Sequence, residues 1–245
     1  MTRSFRYHVH ERLPEVGRSG QERLSAAHVA VVGAGGLGSS VLLQLISLGL
    51  GTLTIVDDDT VAWDNLQRQF LYTEADVGRY KAVVAREHLM ARNSDVNVRA
   101  HRLRLTPGSA EEILAGADVL IDCTDNLEAR LAIDDYCHTA QIPLVYGGVK
   151  GFAAQVAVFH YRGGPSFRDT FPDVEALRHL PTCTDSGVLA PVVALTAALQ
   201  VSEAVKIILE LPGVLTGKLQ AVQLLTNSFR TLHTGPLPLQ SSAVS

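Results

Sequence analysis

The chain is poor in cysteine, in aromatic residues and in surplus positive charge. Its 245 residues include three cysteines, and aromatic residues make up 6%. The cysteines are far apart and form no CxxC pair, which excludes a disulfide scaffold and favours a reducing, cytoplasmic setting. Lys and Arg total 21 against 25 Asp and Glu, a formal net charge of −4. Without an excess of cations to neutralise phosphates, a general nucleic-acid binder is excluded.

Long apolar runs are also missing. The longest strongly apolar stretch, Val188–Val201, is shorter than the ~20 residues of a membrane-spanning helix, so it predicts a buried helix and no membrane contact. The first residues, MTRSFRYHVHER, contain no apolar region of the kind found in secretory signals. Apolar residues nevertheless make up 47% of the chain and charged residues 19%, which excludes a disordered chain.

Short apolar runs alternate with helical patterns, and this alternation is typical of an α/β fold. We expect a Rossmann-like mixed sheet with a parallel N-terminal half and antiparallel C-terminal strands. The predicted strands are Val29–Val32, Thr52–Val56, Val96–His101, Ala117–Asp122, one beginning at Pro143–Tyr146, Ala154–Tyr161, Lys218–Leu225 and Ser228–Leu232. The predicted helices are Ser39–Leu48, Lys81–Ala91, Ala110–Leu114, Leu127–Ala140 and Val188–Leu211.

The same pattern predicts one domain over residues 1–245, with a nucleotide-binding half at about 26–150. A crossover loop at 162–187 is rich in Gly and Pro and has no clear period. A loop of this length suggests a functional role. The tail at 235–245 is predicted to be disordered.

A glycine-rich segment, GAGGLG, lies between the first predicted strand and its helix, and its glycines are Gly33, Gly35, Gly36 and Gly38. Glycines allow phosphate to approach the backbone, and a helix N-terminus offers N–H donors to it. Asp57 in the following VDDD segment, which ends at Asp59, comes 19 residues after Gly38, a spacing that suits a ribose hydroxyl. Alternatively, the glycines only permit tight packing of helix on strand. The joint context predicts nucleotide binding.

Two cations follow the second strand. The polar run DNLQRQ contains Asn65 and Arg68, and Lys81 follows in GRYKA. Two cations beside a nucleotide suit a triphosphate, whose transferring group carries concentrated negative charge. Alternatively, Arg68 and Lys81 are solvated surface charges and the nucleotide is NAD.

The segment DCTDN directly follows the fourth strand and ends in Asp125 and Asn126. Ligands bind at the carboxyl ends of parallel strands, where a carboxylate can hold Mg²⁺ beside phosphates. Alternatively, one of these two side chains caps the helix that begins at Leu127, and a residue could do both.

Together, these motifs resemble the ThiF/MoeB/HesA family, bacterial relatives of the ubiquitin-activating enzymes. GAGGLG, DDDTV, DNLQRQ, VGRYKA, DCTDN, PLVYG and CTDSGVLAP occur in the family's order and spacing, from about Arg6 to Arg230. The resemblance implies an ATP-dependent adenylyltransferase. Its partner would be a ubiquitin-like sulfur carrier, ThiS-like or MoaD-like, with a Gly-Gly C-terminus that is converted to an acyl-adenylate as pyrophosphate leaves. It also implies a homodimer that binds no nucleic acid.

The resemblance also implies roles for individual residues. Gly36 and its neighbours hold phosphate, Asp57 holds ribose, and Asp59 belongs to the same nucleotide site. The triphosphate is neutralised by Asn65, Arg68 and Lys81. Asp125 positions Mg²⁺, with Asn126 beside it.

Cys183 lies where ThiF-like members carry a cysteine that handles sulfur. Alternatively, it is an inert small residue, because thiol reactivity depends on its surroundings. Cys123 and Cys137 are predicted to be packing residues.

Two departures from the family pattern stand out. Many members bind structural zinc through two CxxC pairs, but Ser166–Asp169 occupies the first position and the C-terminal stretch has no cysteine. Because zinc needs about four N or S ligands, we predict that zinc is absent and that packing holds the loop, or that the loop is mobile. The family also has an arginine, which reaches the neighbouring subunit's ATP, at the position of Val9.

Three other functions compete with adenylyl transfer. The valine and the missing zinc ligands are compatible with a non-catalytic member that binds nucleotide and carrier. The GxGxxG pattern taken alone would suit an NAD-dependent oxidoreductase. A tRNA-modifying dehydratase of the same superfamily is disfavoured by the acidic net charge.

Overall fold

The computed structural model describes residues 6–178 and 187–234. Within them the chain forms one eight-stranded sheet in the order β3-β2-β1-β4-β5-β6-β7-β8. The strands are β1 (His28–Val32), β2 (Thr52–Val56), β3 (Asn97–His101), β4 (Val119–Asp122), β5 (Leu144–Lys150), β6 (Ala153–Phe159), β7 (Lys218–Gln223) and β8 (Ser228–His233). The helices are α1 (His8–Glu11), α2 (Gly17–Ala26), α3 (Gly36–Leu48), α4 (Lys81–Arg92), α5 (Pro107–Leu114), α6 (Leu127–Ala140), α7 (Phe167–Thr170), α8 (Val174–Arg178) and α9 (Ala190–Leu209).

The direction of the strands changes once across the sheet. Strands β1 to β5 pair in parallel, and β5 to β8 pair antiparallel. The predicted fold class is therefore confirmed. Strands β2 and β3 are added on one side of β1, and β4 and β5 are added on its other side. This switch point, at the carboxyl ends of the strands, is where open α/β sheets form a ligand crevice.

Helix α9 is the central helix of one face of the sheet. It contacts α3, β5 and β6, and residues such as Val192, Val193 and Ala197 are buried. By length and composition it is the one helix among the described residues that would suffice to cross a membrane, yet more than half of its apolar window is buried inside the fold. The prediction of a buried helix is correct, although the helix is shorter at both ends than predicted.

The crossover loop differs from its prediction. Residues 162–187 were expected to have no regular structure, but the described part contains a 3₁₀ turn and the short helices α7 and α8. Strand β6 also differs, because it ends at Phe159 and not at the predicted Tyr161, and its second half, from Val156 to Phe159, is buried on both faces. The tail at 235–245 lies outside the described residues.

The segment Ser166–Asp169 is held by packing and by a capping box. The Ser166 hydroxyl accepts a hydrogen bond from the Asp169 N–H at 3.0 Å, and the Asp169 carboxylate accepts one from the Ser166 N–H at 2.8 Å. The buried Phe167 ring lies 5.7 Å from Tyr146, 5.9 Å from Phe159 and 4.8 Å from Phe171, between ring centroids. We call these four rings the aromatic cluster. Among the described residues, no three His, Cys, Asp or Glu side chains are grouped to hold a metal, and the absence of zinc stays a prediction.

Replacing Phe167 with alanine tests how far the aromatic cluster stabilises the fold. Because the ring is 1% exposed, we expect Phe167→Ala to lower the free energy of unfolding by about 3–5 kcal/mol, measured by urea denaturation. The control is Phe152→Ala, at a side chain that is 41% exposed, with an expected change within about 0.5 kcal/mol. Equal losses of unfolding free energy in the two variants would contradict the stabilising role of the aromatic cluster.

Candidate active site

A cavity of about 930 Å³ opens at the carboxyl ends of β1, β2 and β4. A volume of this size is typical of sites for small molecules and cofactors. Most of the residues predicted for the nucleotide site line it: Gly33, Gly35, Gly36, Asp57, Asp59, Asn65, Arg68, Lys81, Asp125 and Asn126. Cys183 lies outside the described residues, so the structure does not place it.

The four glycines of the loop divide into two structural roles. A Cβ on Gly38 would lie 1.9 Å from the Gly33 carbonyl oxygen, and one on Gly33 would lie 2.7 Å from the Cys123 carbonyl oxygen. Gly33 and Gly38 therefore require glycine for packing. Contrary to the prediction, Gly38 does not line the cavity. A Cβ on Gly35 or Gly36 would meet no atom closer than 3.7 Å or 3.5 Å. Because these two glycines begin α3 and face the cavity, they are the positions where backbone N–H groups are open to an anion.

Three glycine-to-alanine variants separate the two roles. We expect Gly38→Ala to unfold or strongly destabilise the protein, since its Cβ would collide with backbone. Gly36→Ala should fold normally but bind ATP at least about tenfold more weakly, because its Cβ, 3.5 Å from Val193 Cγ1 and 3.9 Å from Arg68 Cδ, would narrow the cavity beside the backbone N–H groups that are open to an anion. The matched control is Gly108→Ala in α5, where no atom lies within 4 Å of the added Cβ. Thermal denaturation and calorimetric titration with ATP give the two measurements, and normal ATP affinity in Gly36→Ala would contradict the assignment.

Ala34, the residue between Gly33 and Gly35, is fixed through both its N–H and its carbonyl group. The Ala34 N–H donates to Asp57 Oδ2 at 2.6 Å, and the buried Tyr72 hydroxyl donates to the Ala34 carbonyl at 2.7 Å. Asp57 Oδ1 accepts from the Asp59 N–H at 2.9 Å. Burial raises the pKa of Asp57, and these two backbone hydrogen bonds oppose the shift. Since each carboxylate oxygen has a second lone pair, Asp57 can hold the loop and also accept a ligand hydroxyl.

The Lys81 side chain is buried, whereas its ion-pair partner Asp59 is largely exposed. Its Nζ lies 2.5 Å from Asp59 Oδ2, with the lysine side chain 6% exposed and the aspartate 65% exposed. Burial acts to raise the pKa of Asp59, but hydrogen bonds from Lys81 and the Thr60 N–H outweigh it and lower the pKa. The surface-charge alternative is therefore wrong for Lys81. A desolvated ammonium group next to the glycine loop attracts a phosphate far more strongly than a solvated one.

Arg68 reaches the same cavity from the polar run. Its Nη1 donates to the Asp64 carbonyl at 2.9 Å, and its side-chain carbons lie 3.9 Å from the Cβ position of Gly36. The partly buried Arg68 side chain is thus adjacent to the first residue of α3, where the positive end of the helix dipole also lies.

Asp125 and Asn126 behave differently. Asn126 Oδ1 accepts from the Ala129 N–H at 2.9 Å and caps α6, as one of the alternatives predicted. Asp125 is exposed on the cavity wall. Cys123, at the start of the same segment, also lines the cavity, but burial raises the pKa of its thiol well above the ordinary value, which fits the predicted packing role.

Comparison with known proteins agrees with this geometry. A model of the ThiF family matches residues 7–242. The chain belongs to the ThiF family. A protein from Thermus thermophilus named sulfur carrier protein adenylyltransferase is 42% identical over 232 residues, which cover 93% of this chain and 86% of the relative. The resemblance to this family, and the enzyme class implied by its relatives' names, agree with the prediction from the motifs.

Other relatives of this ThiF-family protein are longer than it is. The probable molybdopterin-synthase adenylyltransferase of Porphyra purpurea is 39% identical over 94% of this chain but only 61% of its own length. The probable adenylyltransferase/sulfurtransferase MoeZ of Mycobacterium tuberculosis is 39% identical over 93% of this chain and 59% of its own. A crystal structure of E. coli MccB with ATP has a TM-score of 0.81 at 23% identity, over 97% of this chain and 74% of that one. This last likeness shows the shared fold.

Two cavity residues of this ThiF-family protein were not named among its predicted site residues. Gln69 is 3% exposed, lines the cavity, and has no hydrogen-bond partner for Oε1 within the described part of the chain. Arg130 lines the cavity from the first turns of α6. Gln69 belongs to the polar run DNLQRQ. Arg130 follows the helix cap Asn126 by four residues, so Asn126 and Arg130 lie on the same side of the helix. The polar run and the four-residue spacing from the helix cap are the sequence features that could have identified Gln69 and Arg130.

Proposed function

We propose that this ThiF-family protein is an ATP-dependent adenylyltransferase that activates the C-terminal glycine of a ubiquitin-like sulfur carrier. The observation that carries the proposal is the meeting of Gly36, Arg68, Lys81 and Asp125 around one cavity at the N-terminus of α3. A hydride-transfer enzyme needs no buried cation at that point. The names of the Thermus and Porphyra relatives support the nature of the acceptor.

Catalysis rests on positioning and charge. Backbone N–H groups at Gly35 and Gly36 hold phosphate, and the Asp57 carboxylate accepts a ribose hydroxyl. The carrier's C-terminal carboxylate oxygen forms a bond to the α-phosphorus, and the bond from that phosphorus to the bridging oxygen breaks. Pyrophosphate leaves with the electron pair of the broken bond, and Arg68 and Lys81 neutralise the charge that moves onto it. The step needs no side-chain nucleophile.

The chemistry of the cavity also fits Mg²⁺. This ion is held in proteins by one or two carboxylates together with substrate phosphates and water, and Asp125 supplies one exposed carboxylate on the cavity wall. When bound, Mg²⁺ would neutralise phosphate charge. Asp125 would orient the ion, while Asn126 keeps α6 in place through its cap.

Small residues extend from the nucleotide end of the cavity along β5 and β6. Gly147, Gly148, Ala153 and Ala154 line it there, and a Cβ on Gly148 would lie 2.5 Å from the Tyr146 hydroxyl. A stretch of wall made of glycine and alanine leaves space for an extended peptide, which suits a Gly-Gly tail. We therefore propose a ThiS-like or MoaD-like carrier as partner, in a cytoplasmic, homodimeric enzyme.

Pyrophosphate exchange into ATP tests the reaction. The wild-type protein should exchange in the presence of a Gly-Gly-ended carrier, and Arg68→Ala should exchange on the order of a hundredfold more slowly with unchanged folding, because a charge that stabilises the transition state is lost. The control is Arg18→Ala, at an exposed arginine paired with Glu22 on α2. Absence of exchange with every such carrier, despite ATP binding, would overturn the proposal, and tighter binding of NAD than of MgATP would favour an oxidoreductase.

One observation favours the second candidate, a non-catalytic member. Val9 on α1 is 60% exposed and apolar, at the position where the family carries an arginine. Arg6 lies three residues before Val9, and its guanidinium group is engaged elsewhere, because Nη1 donates a hydrogen bond to the Arg92 carbonyl at 3.2 Å.

Restoring the arginine tests the weight of this departure. We expect Val9→Arg to raise the rate of pyrophosphate exchange, since a guanidinium group would return to the phosphates of the neighbouring subunit in a homodimer. The control is Val9→Gln, which adds polarity and length without charge. If both variants exchange at the wild-type rate, Val9 does not limit the reaction and the expectation is wrong.

A further inference from the structure

Arg130 links three segments that meet at the cavity. Its Nε donates to Asp122 Oδ2 at 2.7 Å, at the end of β4. Its Nη2 donates to the Thr124 carbonyl at 2.9 Å and to the Gly147 carbonyl of β5 at 3.4 Å. The arginine side chain is 16% exposed and that of Asp122 is fully buried. A single guanidinium group therefore joins β4, the turn after it and β5.

The turn between Asp122 and Asp125 is held from its other side as well. Asp122 Oδ1 accepts from the Thr124 N–H at 2.8 Å and from the Thr124 hydroxyl at 2.6 Å. Thr124 is thus bound to the carboxylate of Asp122 and, through its carbonyl, to Arg130. Charge-assisted hydrogen bonds in a buried setting are strong and directional, so the backbone direction in which the chain enters Asp125 is fixed by this pair.

The same guanidinium group also stacks on the aromatic cluster. Its Cζ lies 4.6 Å from the ring centroid of Tyr146 and 5.7 Å from that of Phe167. Cation–π contacts of this kind are favourable at distances up to about 6 Å. The segment that carries Phe167 and the turn that carries Asp125 are consequently connected through one side chain.

We propose that Arg130 is a positioning residue for the nucleotidyl transfer. By holding Asp122 and Thr124, it aims the carboxylate of Asp125 at the place where MgATP binds. The inference rests on the proposed function, since it concerns the carboxylate assigned there to Mg²⁺. A purely structural role would lower stability but would leave the difference between MgATP and metal-free ATP untouched.

The experiment measures ATP binding by calorimetry, with Mg²⁺ and with EDTA, in Arg130→Gln and Arg130→Lys. We expect Arg130→Gln to weaken MgATP binding about tenfold or more, as the loss of a residue that orients a metal ligand does, with binding of ATP in EDTA changed less than twofold. Arg130→Lys should recover part of the loss, because an ammonium group reaches Asp122 but cannot bond the Thr124 carbonyl in the same fork.

The matched control is Arg168→Gln. Arg168 also pairs with an aspartate, Asp135, at 3.1 Å, but both side chains are largely exposed and neither lines the cavity. Its MgATP affinity should equal that of the wild type. If Arg130→Gln does not fold, Thr124→Val decides the question, because it removes only the 2.6 Å hydroxyl bond to Asp122 and should weaken MgATP binding in the same direction by a smaller factor.

Equal weakening of MgATP and metal-free ATP in a folded variant would overturn the proposal, as would wild-type MgATP affinity in Arg130→Gln or, failing its folding, in Thr124→Val. These measurements need no carrier. Absence of pyrophosphate exchange would therefore count against adenylyl transfer alone, while the binding data would still decide the role of Arg130.

Discussion

The tight contact between the glycine loop and the ends of two strands is the constraint on which the site depends. The Gly38 Cα faces the Gly33 carbonyl, and Gly33 faces the Cys123 carbonyl, at separations that no Cβ could fit. Because the backbones touch, the first turn of α3 lies directly over the carboxyl ends of β1 and β4. Arg68 lies beside this turn, and Lys81 lines the same cavity. The N-terminal dipole of α3, Arg68 and Lys81 all present positive potential to one volume.

This local charge coexists with an acidic chain. The net charge of −4 describes the whole molecule, whereas the cavity is lined by the buried Lys81 and the partly buried Arg68 near a helix N-terminus. The Lys81 side chain is 6% exposed and that of its partner Asp59 is 65% exposed, so the lysine is the more deeply buried member of the pair. Such an arrangement holds a cation ready for an anionic ligand without neutralising it fully.

Much of the fold could be predicted from apolar periodicity, and the reason is visible in the elements themselves. Strand β2 and helix α6 have the predicted bounds, because the first is a buried apolar run and the second begins at an asparagine cap. Helices α1 and α2 were missed, since α2 buries only Gly20, Gln21 and Leu24 and its sequence is mostly polar. The helices in residues 162–178 are short, and the burial of Phe167 in the aromatic cluster arises from distant strands, which no local pattern reveals.

Site residues that belong to a sequence motif could be predicted, whereas roles that depend on tertiary contacts could not. Asp57, Lys81 and Asp125 stand at strand ends or helix starts, positions that sequence can locate. The division of the glycines into packing and ligand-facing positions depends on backbone distances between Gly33, Gly38 and Cys123. The role of Arg130 depends on its reach across to β5, a contact between residues 17 apart in the chain.

The aromatic cluster has a consequence for the conditions under which the protein keeps its shape. Thiolate sites for zinc come apart when the metal is chelated or the sulfur is oxidised. Four tightly packed aromatic rings and a serine–aspartate capping box respond to neither. They respond to temperature and denaturant, through the heat capacity of apolar hydration. The described part of the crossover segment should therefore unfold together with the core in one cooperative transition. It takes up its position in the same transition that folds the sheet.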